Sequence, residues 1–185
     1  MLFLRKIIVV LLFAMPLLAI SQYNENIEDD DEFIEWTPQR LTWSDYKAKP
    51  SASSDAAAIT STALGMEYHV RSNTLTFKIT CRFSKKRSWG RHKTEYILLH
   101  EQGHFDITEI FARKLAKELR AYKFNSKKFQ DDLNKIYTKV MEDKEKFQNQ
   151  YDDETDYSRN KIMQAEWLKI IQKELEALEE WADHY

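Results

Sequence analysis

His100-Glu101-Gln102-Gly103-His104 places three groups able to do chemistry at a spacing that suits one task. Residues four apart on a helix project from the same face, so both imidazoles can reach a single metal ion. Glu101 stands one step round from His100, placed to contact a water on that metal rather than the metal itself. Two nitrogen ligands and a general base form the core of a zinc hydrolase site. Zinc would lower the pKa of the water to roughly 7. Glu101 would take its proton as the water attacks a peptide carbonyl, then pass it to the leaving amine. Tetrahedral zinc with an open position needs a third protein ligand, which the pentad lacks.

Residues just after the pentad are poor candidates. Asp106 lies two positions past His104, on another side of the helix, and suits an outer acceptor from an imidazole N–H. Glu109 is turned away as well, and Ile107 to Arg113 contains neither Gly nor His. The ligand should therefore arrive from a distant segment. Tyr151-Asp152-Asp153-Glu154-Thr155-Asp156-Tyr157 is the only dense downstream set of potential ligands. The same stretch reads as a loop and acidic cap, with Ser158 or Asp156 opening the last helix. Gly103 within a helix costs about 1 kcal/mol against Ala, so its place between ligands implies close approach of another element or of substrate. His92, Tyr96 and Tyr157 are candidates to assist at an oxyanion.

The elements that must position these groups follow from periodicity. Thr94 to Tyr122 reads as one long amphipathic helix, with Leu98, Leu99, Ile107, Ile110, Phe111 and Leu115 at apolar positions. A second helix is expected from Ser126 to Gln150 and a third from Arg159 to about Ala182, with Tyr151 to Ser158 breaking the pattern between them. Before them, Ala57 to Val70 alternates in part and Thr74 to Phe83 alternates clearly, with Ser72-Asn73 as a hairpin turn. Glu35 to Pro38 and Leu41 to Tyr46 read as a short entry strand and turn. The fold class is α+β: a small antiparallel sheet followed by three helices, the first carrying HExxH.

The chain opens with Arg5 and Lys6 and an apolar run from Ile7 to Ile20, then Ala19-Ile20-Ser21, small residues at a cleavage site. Residues 1–21 are expected to be a signal peptide, 22–32 an acidic flexible leader, and 33–185 a single domain. The protein would then be exported, periplasmic or secreted, with no membrane contact after cleavage. Losing residues 1–21 removes two cations and no anions, leaving a mildly acidic chain with no basic stripe for nucleic acid. One cysteine, Cys81, excludes an internal disulfide, and its apolar strand setting fits a buried structural thiol.

Leu41-Thr42-Trp43-Ser44-Asp45-Tyr46, Phe83 with Ser88-Trp89, the pentad extended through Phe105-Asp106, Tyr151-Asp152-x-Glu154-Thr155 and Gln164-x-x-Trp167 together resemble a bacterial family. It is a family of exported zinc-dependent protease-like proteins, domain of unknown function 922, and the likeness runs from about Trp36 to Trp167. The resemblance implies a zincin-like metallopeptidase acting on a peptide or protein substrate, with His100 and His104 as Zn2+ ligands and Glu101 as catalytic base. After the Tyr-Asp-x-Glu-Thr stretch the family pattern places a His, where this chain has Tyr157-Ser158. Three outcomes follow: Tyr157 ligates as a phenolate, Asp156 or Asp153 supplies an oxygen instead, or the site is degenerate and the protein a binding or structural module.

Overall fold

A computed structural model describes residues 32–183. The expected signal peptide and residues 22–31 of the expected leader lie outside the described residues. Five strands are formed among them: β1 (Phe33–Glu35), β2 (Ala58–Ile59), β3 (Thr62–Arg71), β4 (Thr74–Ser84) and β5 (Trp89–Gly90). Ser72 and Asn73 join β3 to β4 with φ of 50° and 62°. Two successive positive φ values give the hairpin turn whose twist matches its flanking strands, and Asn tolerates that region better than most residues. Arg71 therefore lies opposite Thr74 and Thr62 opposite Phe83, while β1 adds antiparallel to the other edge of β4. The sheet order is β1-β4-β3, and β2 pairs separately with β5.

The expected single strand from Ala57 to Val70 is thus divided. Ser61 leaves the ladder because its N–H donates to Ser88 Oγ at 2.9 Å, and the Thr60 hydroxyl bonds the Tyr46 hydroxyl at 2.8 Å. Side-chain partners here interrupt the regular ladder, although the Ser61 carbonyl still accepts from Ser84 N–H at 2.9 Å.

Helix α1 (Glu95–Ala121) matches its expected span. Thr94 is the N-cap, accepting from Ile97 N–H at 3.2 Å, and Glu95 places a negative charge in the first turn. Helix α2 (Phe129–Thr155) runs past the expected stop at Gln150. Phe147, Tyr151 and Thr155 recur every four residues, so the inward face continues through the acidic stretch, and Tyr151 and Thr155 are fully buried. The helix then ends on three left-handed residues, Asp156, Tyr157 and Ser158. Helix α3 (Lys161–Ala177) is capped by Asn160, whose side chain accepts from Met163 N–H, and not by Asp156 or Ser158. It stops short of Ala182, and Glu179–Trp181 follows as a 3-10 turn.

Sheet, α2 and α3 all pack on α1. Ile79, Cys81 and Phe83 of β4 meet Phe105 and Ile107 in one core, with the Phe83 and Phe105 rings 5.9 Å apart. Each such burial contributes about 1.5–3 kcal/mol, which outweighs the polar burial that a central helix must accept. Much of that polar burial is paired: the Arg113 guanidinium donates to Glu109 Oε1 at 2.9 Å, the Leu175 carbonyl at 2.8 Å and Glu179 Oε2 at 2.9 Å. Tyr96 Oη and His100 Nδ1, by contrast, are buried with no hydrogen-bond partner among the described residues. Cys81 is a buried free thiol, pushed well above the usual cysteine range first by burial. Among the described residues no helix is long and apolar enough to cross a membrane.

Candidate metal centre

Helices α1 and α2 form an antiparallel hairpin: Tyr122 donates to Asp132 near the loop, and His100 meets Asp152 at the far end. This sets a second cluster against the pentad. Gln148, Tyr151 and Asp152 stand at positions i, i+3 and i+4 of α2, on one face. Asp152 Oδ1 lies 3.1 Å from Nε2 of His100 and 3.1 Å from Nε2 of His104. The ligand-capable atoms of the three residues all fall within 4.8 Å of one another. A tetrahedral site with bonds of about 2.0–2.1 Å has edges of about 3.3 Å, so these atoms already approximate one face of it. Two imidazoles and one carboxylate are also the donor set of hydrolytic zinc sites rather than of structural ones.

Tyr151 fixes the His100 ring. Its ring stacks on His100 with centroids 4.6 Å apart and 19° between planes, meets His104 edge-on at 5.1 Å, and touches Trp167 at 5.5 Å. Its hydroxyl donates to the His100 carbonyl at 3.2 Å. Gly103 is what admits this ring: a Cβ there would stand 2.5 Å from Tyr151 Oη and 2.9 Å from its Cζ. The expected close approach is therefore made by α2. The His104 ring is held by Gln148, whose Oε1 meets its Nδ1 while its amide N–H donates to the His104 carbonyl at 2.9 Å.

The electrostatics are those of an anion between two potential cations. Burial pushes Asp152 upward, but its hydrogen bonds with His100 and His104 outweigh that and hold it well below the usual carboxylate range. Burial lowers His104, yet the hydrogen bond and charge of Asp152 raise it overall, with Glu101 and Gln148 adding to the effect. Glu101 is buried on α1 beside this cluster. Burial pushes Tyr151 well above the usual tyrosine range, and the Glu101 and Asp152 charges push it further. Burial raises Tyr46 too, against its Thr60 hydrogen bond and with help from Glu101. Both phenols are therefore held in the protonated form.

The other expected site residues lie elsewhere. Tyr157 is 56% exposed beyond the end of α2, with the Arg159 guanidinium over its ring at 5.8 Å. Asp156 is the C-cap of α2 and pairs with Arg159 at 2.8 Å, and Asp153 is exposed. The structure brings Asp152 to the imidazoles instead of any of these three, because the helix continues to Thr155 and turns Asp152 inward with Tyr151. Asp106 is not an acceptor from an imidazole; it accepts from Trp36 Nε1–H at 2.9 Å and Gln102 Nε2–H at 2.8 Å. His92 is exposed, whereas Tyr96 lies one turn before His100 with its hydroxyl buried. A cleft of about 380 Å³ beside Arg40, Asp106 and Gln172 includes none of the three clustered residues.

The sequence pointed to the segment from Tyr151 to Tyr157 but favoured Tyr157, Asp156 and Asp153 within it over Asp152, and Gln148 was missed; the four-residue recurrence of Phe147, Tyr151 and Thr155 is the signal that points to the inward face. A family model matches residues 18–159, a span holding the sheet, α1, α2 and every residue of the cluster. The chain belongs to DUF922, a bacterial protein family of unknown function. The DUF922 match ends at the turn before α3, so the helix that packs Trp167 on Tyr151 lies outside it. No match to the chain is found among curated proteins or solved structures.

Proposed function

We propose that this DUF922 protein is an exported zinc metallopeptidase, zincin-like in its helix-borne HExxH, with His100, His104 and Asp152 as the protein ligands. The observation that carries this reading is the convergence of Nε2 of both histidines on Asp152 Oδ1, each at 3.1 Å, beside a buried Glu101. Bound at these atoms, zinc supplies Lewis acidity, lowering the pKa of a water toward about 7 and polarising a substrate carbonyl. Glu101 receives the proton that the attacking water loses and returns it to the leaving amine. Tyr151 and Gln148 keep the imidazoles aimed, and the protonated phenol of Tyr46 is a donor near the base. A peptide or protein is the substrate class, and the periplasm or the exterior the place of work.

The rival reading, a degenerate fold kept for binding, draws on Tyr157 standing where a His is expected. Asp152 offers an oxygen ligand without help from Tyr157, which weakens that reason. The test is elemental analysis of protein purified without chelators. We expect about one zinc per chain, lost in His104→Ala and Asp152→Asn but kept in Tyr157→Phe and Glu101→Gln. Glu101→Gln should abolish peptidase activity against a denatured protein mixture. Little zinc in the wild type would favour the binding protein, and wild-type activity in Glu101→Gln would remove the assigned base.

A further inference from the structure

We infer that Gln148 is the positioning residue of His104, holding its ring in the one tautomer that can ligate through Nε2 and thereby setting the metal affinity. This rests on the metal-site reading above. The argument begins with the amide itself, which has an acceptor end and a donor end. Its donor end is committed: Nε2–H of Gln148 donates to the His104 backbone carbonyl at 2.9 Å and lies 3.4 Å from Thr108 Oγ1. The acceptor, Oε1, must then face the imidazole, where it meets Nδ1. An oxygen that only accepts requires a ring nitrogen that donates, so Nδ1 keeps its proton; Nε2, which meets the Asp152 carboxylate at 3.1 Å, is the nitrogen left to exchange its proton for a metal ion. Thr108 Oγ1–H also donates to the His104 carbonyl at 3.0 Å and bonds Thr62 of β3 at 2.8 Å, which anchors the arrangement to the sheet.

The choice of a neutral acceptor is informative. Asp152 and Glu101 already bring two negative charges to the cluster, enough to balance a divalent cation. A carboxylate at 148 would bind the metal at least as tightly but leave the site net negative and its metal a weaker Lewis acid. Gln148 gives orientation without that charge.

Two readouts test this on the full protein. Nitrogen-15 NMR of histidine-labelled protein carrying one equivalent of zinc reads which nitrogen of His104 keeps its proton and which meets the metal. Competition with a chromophoric chelator reads zinc affinity. We expect Nδ1–H in the wild type. In Gln148→Leu that preference should be lost and zinc affinity should fall by about 10- to 100-fold. Gln148→Glu should keep the tautomer and match or exceed wild-type affinity, a rescue that a purely structural contact would not give. An Nε2–H tautomer in the wild type, or wild-type tautomer and affinity in Gln148→Leu, would overturn the inference. Should Gln148→Leu fail to fold, the wild-type tautomer and the affinity of Gln148→Glu still decide. A wild type that binds no zinc defeats the metallopeptidase reading and this inference with it, whereas a wild type that binds zinc through Nδ1 of His104 defeats only the role given to Gln148.

Discussion

Gly103 shows how far one methyl group reaches in this site. Alanine would favour the helix by about 1 kcal/mol. Its Cβ, however, would press on a Tyr151 ring held between His100, His104 and Trp167, and such overpacking costs typically about 1–3 kcal/mol. We expect Gly103→Ala to lower the melting temperature and to weaken zinc binding together; a stabilised variant with unchanged affinity would refute the wedge. The charges at the same spot set a dependence on pH. His104 is raised in the metal-free fold, so its contribution is fully present below the ordinary histidine value of about 6.5 and is lost as pH rises through its folded value. Asp152 is lowered, so its share is present above the ordinary carboxylate value of about 4 and is lost only on further acidification. Metal-free protein should therefore lose thermal stability as pH climbs from near 6 into the alkaline range. With zinc the trend should reverse, since the ion takes the proton's place on Nε2. Parallel melting curves with and without zinc would check both signs.

Among the elements, α1 was legible to within a residue because Thr94, Glu95 and a regular apolar face agree on where it starts and what it buries. The β3–β4 hairpin was legible for the same reason, alternation meeting a turn that Ser72-Asn73 can form. Helix α2 was not, because four carboxylates between Asp152 and Asp156 look like a loop unless the burial of Tyr151 and Thr155 is known. The pentad could thus be read directly, whereas its partner depended on whether a helix ran for five more residues. A comparable dependence ties α1 to α3 through Arg113, buried against Glu109 and against the end of α3. Removing one member of a buried ion pair costs up to about 3–5 kcal/mol because the other keeps its charge in a dry place without that counter-charge. Arg113→Met should lose stability on that scale in urea titration, and adding Glu109→Gln should recover part of it. Equal losses in the single and double variants would mean that packing, not charge, dominates there.

At the scale of the molecule, the sheet supplies a wall, α1 an axis and α3 a brace, and the candidate site lies at one end of the α1–α2 hairpin. The other end is closed by the chain itself through residues 122–128. About twenty residues of helix separate the two ends, or about 30 Å at 1.5 Å per residue. On the proposed zinc reading, the hairpin has a permanent hinge pin at one end and a removable clasp at the other. Zinc should slow amide exchange in the last turns of α2 and the first turns of α1 while leaving the residues next to 122–128 unchanged; uniform protection along both helices would argue against a clasp. On the proposed zinc reading, such a protein would carry its own quality control: a copy that reached a metal-poor place would be inactive and also less firmly fastened where its helices end, the first part open to whatever proteases share that place.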